Sequence, residues 1–587
     1  MSEHYSEQRL SHILNEKVKR NCFSLIVQFR AISRDSCYHI SFLFSLNYLL
    51  KFPNCYQVIL NMQIRKSDKI SEALRNEGNK LYGEKRFYHA MLKYNESLCH
   101  TPLTSVNLGL AYANRSAIYF ELRLYEKCLK NIKLAIDHNY PCEKLNVLNH
   151  REEKCNEMKH QKLAIINPWN FFKLTYKSHK KLHGVADCLQ VRINEKYGKH
   201  IITTKPLHVG DIIAIEKPFC SVLLSESKFL KVDKENKFQR CRNCLKDNQL
   251  DLIPCSGCCE VMFCSDKCHQ EANERFHKYE CPVMNLLLKS GSVNIALQIF
   301  FIALSACDGS IENLQNFMLE TENTNSTVFD YNFSQDSFVS NTKNYLKCLT
   351  SLTRSQRKFC IQAHDDILST HPQLKNMWNE NQEFIRNFIQ KQCQINDQYF
   401  HGIFGGSLTK TGNENLDFFS THQKSIGSGW FPFCSLINHS CAPNVTRVSV
   451  EGKVVLVVCR PIAEGSQLFD CYKANFNKQP KSSRQMTLLK EFNFTCDCEA
   501  CDKNYPAPPI LPIKDIKIVK FGKKTEEEIV NLKGGQSLKR YHDCCEVIDK
   551  NHDQNFPSLE LSLLQMCQAM YQLKQNHLIS QIRMSPG

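Results

Sequence analysis

The sequence predicts a multidomain α+β protein with all-α repeats at the N-terminus. A β-rich domain follows, split by a zinc module and a helical insert, then a cysteine-rich segment and a short α-helical tail. Three observations carry this. A helical period fills Ser67 to Met158. β-rich runs occur twice, at Val185 to Leu224 and at Thr446 to Cys459, with a mainly helical stretch between them. The chain's 31 cysteines concentrate between Cys241 and Cys281 and again at Cys496, Cys498 and Cys501. At 587 residues the chain exceeds what one hydrophobic core supports, so several units are expected.

Composition narrows the class. Hydrophobic residues make up 42% and charged residues 23%, which argues against a disordered, collagenous or membrane-spanning chain. The net charge of +16 is spread without long basic blocks, so direct nucleic-acid binding is not expected. The cysteines stand in metal-ligand spacings rather than in a disulfide framework, which points to an intracellular protein of cytoplasm and nucleus. The apolar stretch Ile40 to Leu50 starts too far from Met1 for a secretory signal and is shorter than the ~20 residues of a membrane span. Residues 1–66 have no readable period. They are either a poorly ordered extension or a non-native upstream stretch, with Met62 as the natural start.

Residues 67–160 contain a degenerate repeat. Arg75-Asn76-Glu77-Gly78-Asn79-Lys80 leads to Phe87, Ala90, Tyr94 and Ser97, and Asn114-Arg115-Ser116-Ala117 leads to Tyr125, Cys128, Ile132 and Ala135, offset by 38 residues. This resembles tetratricopeptide repeats, whose period of ~34 is restored by a four-residue insertion near His100-Thr101-Pro102-Leu103. In repeats of that kind, a clamp of basic and Asn side chains binds the acidic tails of heat-shock chaperones, because terminal carboxylates need fixed donors. Arg75, Asn79, Asn114 and Lys144 fall at four of the five clamp positions, and Leu148 occupies the last. The same residues also read as an ordinary solvated helix face.

The β-rich part begins at 180–235, where Lys199 to Thr204 and Asp211 to Ile215, punctuated by Pro206 and Gly210, read as strand, turn, strand. The cysteine module fills 241–281 as Cys241-x2-Cys244, Cys255-x2-Cys258, Cys264-x3-Cys268 and His277-x3-Cys281, which is eight ligands and enough for two closed tetrahedral zinc sites. This resembles the MYND zinc finger. That resemblance pairs Cys241, Cys244, Cys264 and Cys268 on one metal and Cys255, Cys258, His277 and Cys281 on the other, and implies a surface for proline-rich peptides. Residues 283–425 are read as a helical insert with a polar loop at Glu320 to Asn344.

Residues 426–478 hold the chemistry. Gly429 to Val445, with Asn438-His439-Ser440-Cys441 at its centre, resembles the signature of SET-domain methyltransferases. Gly465-Ser466-Gln467-Leu468-Phe469-Asp470-Cys471-Tyr472 resembles the second signature, and Tyr197-Gly198-Lys199-His200-Ile201 stands where the first glycine-rich loop is found. With a zinc finger between the first and second pieces, the chain is similar to the SMYD family of SET and MYND domain-containing protein lysine methyltransferases. The resemblance implies methyl transfer from S-adenosylmethionine to a lysine of a protein substrate. Tyr472 would be the catalytic tyrosine, with Gly198, Lys199, His200, Asn438, His439, Tyr472 and Phe494 around the cofactor and Phe492 and Phe494 lining the lysine channel. It also implies a third zinc held by Cys441 with Cys496, Cys498 and Cys501 of the 490–503 segment.

The chain departs from the family pattern at Lys199-His200, Ser466, Lys473 and Phe492. These departures keep open a competing reading, a weakly active SET-fold scaffold or co-regulator binding partners through its repeats and zinc finger. After a Pro-rich linker at Tyr505 to Pro512, residues 504–587 form the helical tail, with Leu559 to Leu573 its clearest amphipathic segment. The family's longer helical repeats imply that this tail is truncated and the cleft more open.

Overall fold

The structure, a computed structural model, describes residues 66–158, 167–224, 236–288, 293–333, 337–408, 421–507, 510–531 and 535–575. The expectation for residues 1–66 lies, but for Lys66, outside them.

Five helices open the described chain: α1 (Asp68–Gly83), α2 (Phe87–His100), α3 (Val106–Glu121), α4 (Tyr125–Asp137) and α5 (Leu145–Glu157). Ser67 caps α1 and Ser105 caps α3, each side-chain oxygen accepting a first-turn N–H that the helix itself cannot satisfy. The 38-residue step thus recurs in the caps as well as in the helix starts. Small residues let paired helices approach: a Cβ at Gly78 would stand 2.4 Å from the Tyr94 ring. Leu98, Ala111, Ile118, Cys128 and Leu148 are fully buried between the helices.

The β-rich domain is built from short sheets. Strand β1 (Leu189–Asn194) pairs antiparallel with β2 (Gly198–Thr203), and β3 (Ile212–Glu216) pairs with β11 (Lys453–Val458), which also takes β10 (Val445–Val450) on its other edge. The two strands expected at Lys199 to Thr204 and Asp211 to Ile215 are present as β2 and β3, each paired with a different partner. β11 reads Lys-Val-Val-Leu-Val-Val and is buried from Val454 onward, as a central strand covered on both faces must be. Ile212, Val448, Val450, Val455 and Val457 pack there on Phe172. A third sheet joins β4 (Cys220–Leu223), β8 (Thr421–Trp430) and β7 (Phe400–Leu408).

That third sheet corrects the helical reading of residues 283–425. Helices α7 (Val293–Ala306), α8 (Ile311–Thr321), α9 (Phe338–Thr350), α10 (Gln362–Thr370), α11 (Lys375–Glu380) and α12 (Gln382–Tyr399) stop at Tyr399, and the chain turns into β7. Glycines at 402, 405, 406, 427 and 429 dilute the β-branched signal that marks a strand. Helix α9 also begins inside the stretch expected to be a polar loop. Among the described residues no single helix is long and apolar enough to cross a membrane.

Between β4 and α7 lies the cysteine module, whose only strands are the two-residue pair β5 (Ile253–Pro254) and β6 (Met262–Phe263), followed by α6 (Asp266–Ala272). It is wedged between two supports. On one side it meets the β10–β11 turn, where a Cβ at Gly452 would come within 2.1 Å of the Cys244 carbonyl and Lys246 pairs with Glu451 at 3.0 Å. On the other it meets the N-terminal helices through a buried polar knot. Arg115 is fully buried and donates to Asn131 (2.9 Å), Asn95 (2.8 Å), the Leu252 carbonyl and Asp251 (3.2 Å). Asp251 also receives Lys130 at 3.0 Å, and Asn95 donates to the carbonyls of Phe238 and Leu250 at 3.0 Å each.

The C-terminal part comprises α13 (Lys481–Phe492), α14 (Ile516–Asn531), α15 (Gly535–Asn555) and α16 (Leu559–Gln575). Of the segment read as a Pro-rich linker, Tyr505 and Leu511 are buried in one cluster with Cys441, Phe476 and Cys501. The last three helices enclose a core of Ile529, Tyr541, Ile548, Leu561, Leu564 and Met570, with Val209 of the β-rich domain among its members. Gln568 and Gln565 donate to the Val458 and Cys459 carbonyls at the end of β11.

Candidate active site

Strand β9 (Asn438–His439) lies parallel to β12 (Phe469–Asp470), in register Asn438 with Phe469 and His439 with Asp470. This pairing brings the two signatures together although they are distant in sequence. It is extended by Ser440 N–H to the Asp470 carbonyl (2.8 Å), Asn444 N–H to the Phe469 carbonyl (3.0 Å) and Phe469 N–H to Asn444 Oδ1 (2.7 Å). The glycine loop joins from β2, where Leu468 N–H reaches the Ile201 carbonyl at 2.8 Å.

Asn438 donates its amide to the carbonyls of Tyr197 (3.1 Å) and Lys199 (3.4 Å), so it fixes the loop's backbone. Gly198 has φ 61°, and nothing lies within 4 Å of where its Cβ would be, leaving a bare backbone surface beside Asn438. Lys199 turns away from that surface, Nζ donating to the Ser326 carbonyl at 3.2 Å, and burial lowers its pKa. His200 is buried, with Nδ1 2.9 Å from the Gly198 carbonyl. The two residues that depart from the family's small-residue pattern thus leave the loop face open.

Tyr472 follows β12, its hydroxyl donating to the Ile437 carbonyl at 3.1 Å and its backbone N–H donating to His439 Nδ1 at 3.0 Å. With Nδ1 an acceptor, the proton of the neutral ring sits on Nε2, which faces Cys441 Sγ at 3.4 Å. Burial holds this imidazole down to about 4, so it stays neutral at physiological pH. Burial likewise pushes the Tyr472 phenol up and keeps it a donor. Phe492 stands 5.1 Å from the Tyr472 ring and Phe494 5.9 Å from His439, giving an aromatic wall.

Cys441, Cys496, Cys498 and Cys501 converge, with ligand atoms within 4.8 Å of one another and Cys441 to Cys501 at 3.6 Å. Tetrahedral zinc at its usual sulfur distance requires thiolates roughly 3.8 Å apart, so the set fits that ion. Helix α13 braces it: Arg484, fully buried, reaches Cys501 Sγ at 3.7 Å, and Gln485 brackets the backbone of Cys496. Lys196, beside the glycine loop, pairs with Asp497 at 2.8 Å.

The other eight ligands also fall into two groups, Cys241, Cys244, Cys264 and Cys268, and Cys255, Cys258, His277 and Cys281. Sulfur pairs at 3.6 and 3.5 Å in the first and His277 Nε2 at 3.3 Å from Cys255 in the second match closed sites of the same geometry. Outside the second group, Glu280 faces His277 Nδ1 at 3.7 Å and is bound by the buried Arg242, which also donates to the Ser221 carbonyl of β4. That chain orients the ligand imidazole and ties the module to the sheet.

Of the clamp candidates, Asn79 Oδ1 accepts from Asn114 (2.7 Å) and from Tyr94 (3.0 Å), and Arg75 reaches Asn107 at 3.5 Å. Lys144 is exposed in a short 3-10 turn, and Leu148 is a core residue.

Sequence reasoning missed the groups behind the site. Arg447 bridges Asp470 Oδ2 (2.6 Å) and His401 Nδ1, while Asp470 Oδ1 accepts the Cys471 N–H at 2.7 Å, so this buried set orients the backbone leading to Tyr472. Burial, with Arg447 adding to it, holds His401 well below its ordinary range. Glu216, at the end of β3, accepts the N–H groups of Phe433 (2.6 Å) and Cys434 (2.9 Å) and caps the turn into β9. Asp470 stands in the second signature, but Arg447, His401 and Glu216 belong to no short motif, and their partners are remote in sequence.

Burial raises the Glu216 pKa to about 7, above its ordinary 4.5. Its contribution to stability is therefore full below the unfolded-state pKa and is lost as pH rises through about 7. Denaturant unfolding from pH 5 to 8 should show this decline in the wild type and a flatter profile in Glu216→Gln, which cannot ionise.

A family model described as SET domain matches residues 198–473, from the start of β2 through the second β-rich piece to the residue after Tyr472. The chain is 22% identical to protein-lysine N-methyltransferase SMYD4 of Danio rerio over 566 residues, covering 85% of this chain and 73% of that protein. It is 25% identical to the Mus musculus protein of that name and 23% to the Homo sapiens one, each over 73% of this chain. It spans 66% of the length of those two relatives.

Proposed function

We propose that the chain is a member of the SMYD family of SET-domain protein-lysine methyltransferases and that it transfers a methyl group from S-adenosylmethionine to the ε-amine of a lysine in a protein substrate. The observation that carries this is the parallel pairing of β9 with β12, which sets Asn438 and His439 beside the strand leading to Tyr472 and against the Gly198 loop.

The cofactor, when bound, supplies an electrophilic methyl on a cationic sulfur. The chain's own residues have to align an amine with it and keep water out, because an in-line displacement asks little acid or base chemistry of the protein. Gly198, Lys199 and His200 through their backbone, with Asn438, His439, Tyr472 and Phe494, are the residues we assign to the cofactor, with the open backbone at Gly198 as the approach surface. Phe492, Phe494 and the Tyr472 ring form the wall along which the lysine enters. An apolar, aromatic channel disfavours the ammonium form, so the amine arrives as a nucleophile. The Tyr472 hydroxyl, held by the Ile437 carbonyl, orients it. The three cysteine clusters are assigned three structural zinc ions, since four N/S ligands each leave no position for a substrate.

We read the paired cysteine groups as a MYND finger that accepts a proline-rich peptide, and the N-terminal hairpins as tetratricopeptide repeats. Asn79 and Asn114, which bond to each other across α1 and α3, support a reading in which they hold an acidic peptide together with Arg75 and Lys144. Cysteines grouped as metal ligands rather than paired in disulfides, among the described residues, support an intracellular site of action, in cytoplasm and nucleus.

Calorimetric titration with S-adenosylmethionine separates an enzyme from a scaffold. Saturable binding, weakened about tenfold or more by Asn438→Ala through loss of two hydrogen bonds to the loop, is the expected result. Absence of binding by the folded, zinc-loaded chain would instead support the scaffold.

A further inference from the structure

Three arginines are fully buried among the described residues, and their charges are met in two different ways. Arg115 pairs with Asp251 and Arg242 with Glu280, so each of these guanidinium groups faces a carboxylate. Arg484, on α13, has no carboxylate partner among the described residues. Its Nη1 donates to the Gln479 carbonyl at 2.8 Å and its Nη2 to the Ala500 carbonyl at 3.1 Å, while its Nε is buried with no acceptor. Neutral carbonyls satisfy hydrogen bonds but leave the charge itself unpaired, and an unpaired buried cation is strongly destabilising. The anions within its reach are sulfurs: Nη2 stands 3.7 Å from Cys501 Sγ, and Cys441 is its other ionisable neighbour.

The third cysteine group has the complementary need. Zinc on four thiolates carries a formal charge of −2, and Cys441, Cys496 and Cys501 are buried, so water reaches little of it. The other N–H groups aimed at these sulfurs are neutral: Cys441 N–H to Cys498 Sγ at 3.3 Å, and His439 Nε2 to Cys441 Sγ at 3.4 Å. The remaining two groups are under less strain from charge. In Cys241, Cys244, Cys264 and Cys268, three of the four are partly exposed and solvent shares the load. In Cys255, Cys258, His277 and Cys281, an imidazole replaces one thiolate and halves the excess charge.

We propose that Arg484 is the counter-charge built into the third cysteine site, a positioning residue that secures its zinc and thereby holds the segment bearing Phe492 and Phe494 against the cofactor residues. The proposal rests on the zinc assignment made above. Helix α13 carries Arg484 in its first half and ends at Phe492, so one side chain ties the helix that delivers the channel wall to the metal site behind it. Packing alone would ask only for a side chain of this size at position 484. Charge pairing asks for a cation.

The test uses the full zinc-loaded chain and two substitutions: Arg484→Lys, which keeps the charge, and Arg484→Met, which keeps an unbranched stem without it. Each protein is equilibrated with increasing EDTA, the zinc retained per chain is counted, and freed thiols are alkylated with iodoacetamide and located by peptide mass spectrometry. Arg484→Met should lose one zinc at an EDTA concentration about tenfold or more below that of the wild type, the effect typical of removing a group that supports a metal ligand. Alkylation should then appear at Cys441, Cys496, Cys498 and Cys501 ahead of the other eight ligands. Arg484→Lys should stay near the wild type. Equal zinc loss in the two variants, an Arg484→Met protein that matches the wild type, or alkylation spread evenly over all three groups, as general unfolding would give, would each overturn the proposal. A wild-type chain holding fewer than three zinc ions would refute the zinc assignment and this proposal with it, whereas three zinc ions with no difference between the variants refutes the role of Arg484 alone.

Discussion

Replacing Cys441 by serine will remove one zinc per chain and, with it, both cofactor binding and methyl transfer, although the substitution leaves Asn438, His439 and Tyr472 in place. Cys441 belongs to the third cysteine group, and its neighbour His439 spans from Cys441 Sγ (3.4 Å) to the backbone N–H of Tyr472 (3.0 Å). Cys441 N–H also donates to Cys498 Sγ at 3.3 Å, so the strand carrying the cofactor residues is held on the cluster at two points. Opening that cluster releases the segment bearing Phe492 and Phe494, the aromatic side of the channel. Structural zinc sites contribute on the order of 10 kcal/mol in small domains, so loss of one ligand in four should exceed any single hydrogen-bond deletion in the site. Cys501→Ser should behave alike, while Cys360→Ser, at an exposed thiol outside every cluster, should match the wild type. Metal content by plasma emission should fall from three zinc per chain to two in the cluster variants, alongside calorimetry with S-adenosylmethionine.

The second large effect is expected at Arg115. Its guanidinium is fully buried between the N-terminal helices and the zinc module, bound to Asn95, Asn131, Asp251 and the Leu252 carbonyl. Arg115→Ala strands a buried carboxylate and several amide and carbonyl acceptors at once, and breaking one side of a buried pair typically costs about 3–5 kcal/mol. Lys127 and Lys130 also approach Asp251, at 3.5 and 3.0 Å, so the charge is not wholly uncompensated and the lower end of that range is expected. The loss should appear in denaturant unfolding as an early transition. Limited proteolysis should then cut near Asn248 to Leu252 before the rest of the chain. If the helices were only tethered to the module, Arg115→Ala would unfold like the wild type.

Twelve metal ligands could be placed from spacing and resemblance because metal geometry constrains neighbours in sequence, and the structure brings those residues into three compact groups. The meeting of Asn438-His439 with Asp470 and Tyr472 was legible in the two signatures. Arg115, Glu216, Arg447 and His401 were not, because each acts through partners distant along the chain: Glu216 serves the turn at Phe433, and Arg447 serves Asp470. The glycine-diluted strands β7 and β8 hid inside a helical stretch for want of β-branched residues. The prolines after Tyr505 suggested a spacer, yet Tyr505 and Leu511 of that segment found a core beside the third cluster. Helix starts were easier, since Ser67 and Ser105 advertise their caps in the sequence.

The most direct test of the central claim is methyl transfer itself. The purified, zinc-loaded chain should be incubated with S-adenosylmethionine labelled in its methyl group and a cell protein extract, and labelled residues should be identified by mass spectrometry. Label on lysine side chains, absent with Tyr472→Phe although that variant still binds the cofactor, is the result this account requires. Label that persists undiminished in Tyr472→Phe, or no lysine labelling by a chain that binds cofactor and holds three zinc ions, would contradict it.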